Sequence, residues 1–296
     1  MYMLLVLLAG CSFGLLSPIV KMAYNSGLQP EQVVITQFFM AWVILICLVL
    51  VTGRRKVDFK RAGKLALTGV IYGMAGLFFF LSLQTLPASI AIVIMFQFTW
   101  MGVLIEAFFD RKWPGKEKLW SVLVLVLGII MAGGALEGEV RLELVGVLLA
   151  TLSAFAYSFY ILLSGRVVAD EPPINRSMWI MMGAVLFSAF VYPPKFIIEG
   201  QITTNLIWFG LGIGLLGGVI PTFLLTKGVP RVGPGLATIL CSSELPVALL
   251  GSTLLLGERA SVLQFLGVAL ILFGITIPYI SSKLTLTVRQ ENRPRV

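Results

Sequence analysis

Apolar residues are not scattered along this chain in alternation or at helical spacing; they come in long blocks, separated by short polar connections. The blocks run Tyr2–Lys21, Val33–Thr52, Leu65–Gln84, Ala88–Phe109, Leu119–Leu136, Glu143–Leu163, Met178–Ile198, Leu206–Thr226, Gly235–Leu256 and Val262–Ser282. Each is close to the ~20 residues that an α-helix needs to cross a bilayer, so the pattern predicts about ten membrane-spanning helices. The connections are too short to hold a soluble catalytic or ligand-binding domain. Leu8-Ala9-Gly10-Cys11-Ser12 imitates a lipoprotein processing site, but no Lys or Arg precedes the first block, and it reads as the first span.

Two halves of five blocks share features in the same order. Leu8-Ala9 and Ser12 correspond to Leu149-Ala150 and Ser153, Gly73 and Gly76 to Gly214 and Gly217, Pro87 to Pro234, Gln97 to Glu244, and Gly128 to Gly274. With an odd number of spans per half, the second half enters the membrane from the opposite side. The expected fold is therefore an all-α integral membrane protein built as two inverted five-helix repeats, residues 1–138 and 139–283, with a tail at 284–296.

Composition agrees: 58% of residues are hydrophobic, 12% are charged, and mean hydropathy is +0.98. The formal charge of +8 would suggest a nucleic-acid partner in a soluble protein; its distribution removes that reading. If the N-terminus is cytoplasmic, the inside loops hold Arg54, Arg55, Lys56, Lys60, Arg61, Lys64, Arg111, Lys112, Lys116, Lys118, Arg166, Arg176, Lys227 and Arg231, and the tail adds Lys283, Arg289, Arg293 and Arg295. Only Lys21, Arg141, Lys195 and Arg259 fall outside. This excess on one side sets both termini in the cytoplasm and the protein in a cell membrane. Cys11, Cys47 and Cys241 all lie inside spans and read as small buried apolar residues rather than a disulfide framework.

Polar groups inside the blocks carry the candidate chemistry. Glu244 lies in the middle of a span, where a carboxylate costs roughly 2.5–3.5 kcal/mol on insertion scales and faces a cavity or a partner instead of lipid. It can exchange a proton for substrate, or stay charged and hold a cationic group. Gln97, its mate in the repeat, and Trp100 one turn on form a candidate wall opposite it; Tyr157 and Tyr160, Ser243, Tyr72, Ser12 and Ser17 are further substrate-binding candidates. Glu106, near a span end, is expected to reach the interface or to pair with Arg111 or Lys112, and Lys21 and Lys227 to snorkel to water. Pro18, Pro221 and Pro246 cannot donate to the carbonyls of Gly14, Gly217 and Ser242 and are candidate hinges. Gly10 and Gly14, Gly69 and Gly73, and Gly210, Gly214 and Gly218 are spaced for close helix contact.

The run Leu245 to Gly274, with a proline near the start of one span, Gly257-Glu258-Arg259 at its end and a glycine-punctuated last span, is similar to the end of the repeat in the drug/metabolite transporter superfamily, and Leu7 to Met22 looks like that superfamily's opening helix. The resemblance is to the ten-helix group with two EamA-type repeats. It implies a central cavity lined by spans 1, 3, 4, 6, 8 and 9, and export as the direction of transport.

Absences narrow the reading further. The chain has no histidine, which excludes a Ser-His-Asp triad and any His-ligated metal site, and no phosphate-cradling Gly-x-x-x-x-Gly-Lys-Ser/Thr segment. Neither cofactor nor metal is expected. The sequence therefore predicts a non-enzymatic secondary transporter that moves a small polar or amphipathic molecule by alternating access, with protons as the candidate coupling ion. Import of an organic cation or nutrient is the alternative, and a membrane-embedded lipid-modifying enzyme a weaker one.

Overall fold

A computed structural model describes residues 1–52, 57–86, 88–133, 143–194, 200, 202–257 and 260–291, without the side chains of 88, 89, 279 and 281–291. Pro87, Glu258, the loop charges Arg54, Arg55, Lys56, Arg141, Lys195 and Arg259, the tail's Arg293 and Arg295, and the boundary at 138–139 lie outside the described residues, as do the side chains of Lys283 and Arg289.

The described residues are helical throughout, with no strand among them. Along the chain run α1 (Tyr2–Asn25), α2 (Pro30–Thr52), α3 (Phe59–Ser82), α4 (Ala88–Met95), α5 (Phe98–Asp110), α6 (Lys116–Ala132), α7 (Leu144–Arg166), α8 (Pro173–Val191), α9 (Thr204–Gly214), a π-turn (Leu215–Val219), α10 (Ile220–Val232), α11 (Pro234–Cys241), α12 (Glu244–Leu256) and α13 (Val262–Glu291). Eight segments are long and apolar enough to cross a membrane, three of them composite or extended: Ile90–Asp110, Thr204–Val232 and Pro234–Leu256 join shorter helices into single spans. With α6 and the apolar part of α13, Val262–Pro278, they make up the expected ten. The last helix continues beyond Ser282, where its apolar block ends, to Glu291.

Packing repeats between the halves. α6 lies against α13, α5 against α11 and α2 against α8, while α1 packs on α10, α11 and α12 much as α7 packs on α3, α4 and α5. Lipid tails are as apolar as leucine, so these contacts rest on close backbone approach, and glycine provides it. A Cβ on Gly69 would strike the carbonyl of Ile180, and one on Gly183 the carbonyl of Ala66, so α3 and α8 touch backbone to backbone. Gly210, Gly214 and Gly218 do the same for α2, against Thr36, Met40 and Ala41. Gly10 and Gly14 let α1 press onto the joint between α11 and α12, where their Cβ atoms would meet Ser243, Cys241 and the backbone of Glu244.

Two corrections follow. Arg176, counted above as a loop charge, is the fourth residue of α8 and only 1% exposed; Pro172-Pro173 starts the helix early and carries the arginine inside. Cys47, expected to be buried, is exposed on α2, while Cys241 is buried and Cys11 half-buried. An exposed thiol is compatible with this fold because the surroundings of a span are apolar.

Candidate functional site around Glu244

Spans 4 and 9 are each interrupted at the same point. In span 4, Phe96-Gln97 separates α4 from α5; in span 9, Ser242-Ser243 separates α11 from α12. Neither interruption is strained. Gln97, Ser242 and Ser243 keep right-handed helical dihedrals, and the chain tightens through i→i+3 bonds: Gln97 N–H to Ile94 O at 3.1 Å, Ser242 N–H to Ile239 O at 3.2 Å, Ser243 N–H to Leu240 O at 3.2 Å. The spans end alike as well, on left-handed Arg111 (φ 51°) and Gly257 (φ 67°). This register makes Phe98 the counterpart of Glu244 and Gln97 that of Ser243, one residue from the pairing read in the sequence, which was anchored on Pro87 and Pro234.

Glu244 opens α12, where the helix dipole favours a carboxylate. Its Oε2 is buried and has no hydrogen-bond partner among the described residues. Tyr72, Tyr157 and Cys241 lie within its electrostatic reach. Around it the aromatic side chains interlock. The rings of Tyr72 and Tyr160 stack at 4.5 Å, Phe13 meets Tyr157 edge-on at 6.1 Å, and Phe98 meets Tyr157 edge-on at 4.8 Å. Among the described residues the buried Tyr157 hydroxyl has no hydrogen-bond partner, like Glu244 Oε2, while the buried Tyr160 hydroxyl faces Thr222 Oγ1. Orphaned buried polar atoms are rare in folded proteins, and two within reach of one another mark a place built for something other than packing.

Several carbonyls here are accounted for by proline. Pro221 has no N–H for Gly217, and the hydroxyl of Tyr72 donates to that carbonyl at 2.9 Å; Ser12 donates to the neighbouring Leu216 carbonyl at 2.7 Å. The π-turn is thus held by side chains of α1 and α3. Pro246 behaves differently: the Ser242 carbonyl, expected to be free, accepts from Leu245 N–H at 3.3 Å. Pro18 packs against Gly251, whose Cβ would approach its ring to 3.0 Å.

The remaining candidates divide. Ser243 is buried and donates to Leu7 O on α1 at 3.0 Å, tying α1 to the joint. Ser242 and Thr99 share a hydrogen bond of 3.0 Å across α11 and α5. Gln97 and Trp100 are occupied with their own helix: the Gln97 amide donates to Val93 O at 2.9 Å and its carbonyl accepts from the Trp100 indole N–H at 2.7 Å. Ser17 is exposed on α1. Glu106 pairs with Lys118 at 2.5 Å rather than with Arg111 or Lys112, and its carboxylate rests against Gly233 and Gly235 at the start of α11. Lys227 lies over the Phe223 ring at 5.7 Å. At the same end of the bundle, Arg61 pairs with Asp170 and with Glu171, and the guanidinium holds the Asp170 carboxyl below the usual carboxylate range.

Sequence reasoning missed Phe13, Phe98 and Thr222, which complete the cluster. A phenylalanine inside an apolar block carries no contrast, and only the repeat could have singled out Phe98. A small crevice with room for little more than a water molecule, lined by Val34, Gly73, Leu77, Phe80, Phe187, Ser188, Val191 and Tyr192, is apolar and includes neither Glu244 nor its tyrosines. Glu244 itself is half-buried, with its Oε2 buried. Among the described residues no cluster of His, Cys, Asp or Glu could hold a metal ion.

The family model for EamA-like transporters matches twice, over residues 1–134 and 144–280. The chain belongs to the EamA-like transporter family. It is 25% identical over 268 residues to the uncharacterized transporter YcbK of Bacillus subtilis, covering 87% of this chain and 86% of that protein. It is 27% identical over 227 residues to the threonine/homoserine exporter RhtA of Escherichia coli, covering 76% and 72%. A solved crystal structure superposes with a TM-score of 0.77 at 18% identity, covering 92% of this chain and 97% of that one, which shows the shared fold. The family and these relatives are transporters, not enzymes, and this protein is a multi-pass membrane transporter.

Proposed function

We propose that this EamA-family chain is a secondary active exporter of small polar or amphipathic metabolites in the cytoplasmic membrane, working by alternating access with Glu244 as its proton-coupling group. The observation that carries the proposal is the buried Oε2 of Glu244, which has no partner among the described residues and lies beside Tyr157, whose hydroxyl also lacks one. A carboxylate kept without a counter-ion in an apolar surround is a group that can take up and release a proton as its surroundings change. Five spans per half and the matching packing of the halves support two inverted repeats, divided at 138–139 and followed by a tail from 284. The concentration of Lys and Arg in one set of loops supports cytoplasmic termini.

In this reading Ser12, Tyr72, Tyr157, Tyr160 and Ser243 line the route next to Glu244, Gln97 and Trp100 border it, Ser17 lies at its edge, and Pro18 and Pro221 permit the bending. RhtA's substrates, threonine and homoserine, are the first compounds to try. In proteoliposomes carrying an imposed pH gradient, gradient-driven flux of the substrate should vanish in Glu244→Gln while the purified variant stays folded and still exchanges labelled for unlabelled substrate. Undiminished gradient-driven flux removes Glu244 from the mechanism.

A second reading, import of an organic cation, draws on the aromatic rings of Tyr72 and Tyr157 beside the acid, since aromatic faces attract ammonium groups. Uptake that follows the cation's own gradient, with no response to the pH gradient, would favour it.

A further inference from the structure

Among the described residues Arg176 is the largest fully buried side chain, and none of their carboxylates lies within ion-pair distance of it. Nearby Asp170 is turned outward to Arg61. Backbone carbonyls take the place of a counter-ion. One guanidinium nitrogen donates to Thr226 O at 2.7 Å and another to Ser164 O, while Nε has no partner. Both carbonyls are available for a reason. In α10, Thr226 would ordinarily accept from residue 230, which is Pro230 and has no N–H. Ser164 is in the last turn of α7, where carbonyls lack helical partners. Ser177 and Thr226 add a hydroxyl pair at 3.1 Å. One side chain of α8 therefore fastens the last turn of α7 to the middle of α10, next to Tyr160.

A permanently charged group held only by carbonyls in a dry contact carries a desolvation cost, and water relieves that cost once the contact parts. We propose that Arg176 is the latch that closes the α7–α8 end of the bundle over the Glu244 cluster, and that transport requires it to release Thr226 and Ser164. It acts by positioning α7 and α10 and touches no substrate. The proposal rests on the alternating-access reading, but its test uses neither substrate nor proton gradient.

Cys241, fully buried next to Glu244 and Tyr157, is a native reporter. With Cys11→Ala and Cys47→Ala as background, its rate of modification by a membrane-impermeant trimethylammonium methanethiosulfonate is measured in vesicles of each orientation. Arg176→Gln should raise the rate about tenfold from the side that bears the α7–α8 loop, the factor for losing about one charge-assisted hydrogen bond, and leave the other side unchanged. Arg176→Lys, which keeps charge and one carbonyl bond, should fall between. Pro230→Ala restores an N–H to the Thr226 carbonyl in competition with Arg176, and should raise the rate from the same side by less; simple helix repair would leave it unaltered. An equal rise from both sides, no rise in Arg176→Gln, or no response to Pro230→Ala overturns the proposal. Should Glu244→Gln leave gradient-driven flux intact while these rates move as stated, the latch stands and the proton reading falls.

Discussion

Span 4 and span 9 have the same backbone and different contents. Both run eight residues, pause for two and resume for thirteen, both tighten through i→i+3 bonds at the pause, and both finish on a left-handed residue. In span 4 the resuming residue is Phe98, fully buried, with its ring edge-on to Tyr157. In span 9 it is Glu244, with an unpartnered oxygen near the same tyrosine. The interruption is thus a property of the fold, and the chemistry is added by a single side chain. The two spans also settle their polar groups differently: Gln97 and Trp100 satisfy each other within span 4, whereas Ser243 reaches across to Leu7 on α1. Both spans bond to neighbours at the pause, span 4 through Phe98 O and Thr99, but only in span 4 does the residue before the resuming one, Gln97, close on its own helix.

If Phe98 is a packing element, shortening it should harm stability more than any change at the polar residues of span 4. Phe98→Ala removes a ring that Tyr157 and Phe96 both contact, and should lower stability by about 3 kcal/mol, the lower end for such truncations because lipid, unlike water, does not drive the ring inward. Thermal unfolding in detergent measures this. A loss no larger than that of Ser243→Ala would mean that the two resuming positions are not the contrast described.

The comparison also shows what the sequence makes legible. Spans, glycine contacts and the isolated acid stand out because each departs from an apolar background. The carbonyl freed by Pro221 could be named in advance, and only its recipient, Tyr72, needed coordinates. Three things were hidden. Arg176 looked like a loop charge because hydropathy does not report where a helix begins. The phenylalanines that complete the aromatic cluster were invisible because Phe13 and Phe98 sit among residues equally apolar, and inside and outside of a membrane bundle share one composition. The register of span 4 on span 9 was misread by one residue because a proline, Pro87 against Pro234, was a weaker guide than the pause itself.

A smaller effect tests whether Gln97 and Trp100 are the closed pair they look to be. Trp100→Phe leaves the Gln97 carbonyl without its indole donor, and interhelical or local polar bonds in membranes average about 0.6 kcal/mol. The expected loss is of that order, with no effect on gradient-driven flux. A large fall in flux with stability kept would instead place Trp100 in the substrate route and make span 4 an active wall.

The smallest effect is expected at Pro246. Its counterpart in span 4 is Trp100, which has an N–H, yet the pause there is the same: Phe96 O accepts from Thr99 N–H at 3.2 Å just as Ser242 O accepts from Leu245 N–H at 3.3 Å. The proline is therefore not what breaks span 9. It stands in the first turn of α12, where a missing N–H leaves little undone. Pro246→Ala should then change stability by no more than about 0.5 kcal/mol and leave the Cys241 modification rate as it was. If that rate rises instead, the added N–H has drawn the Ser242 carbonyl into a regular helix and shifted Glu244 with it, and the pause in span 9 depends on its own sequence in a way that span 4 does not.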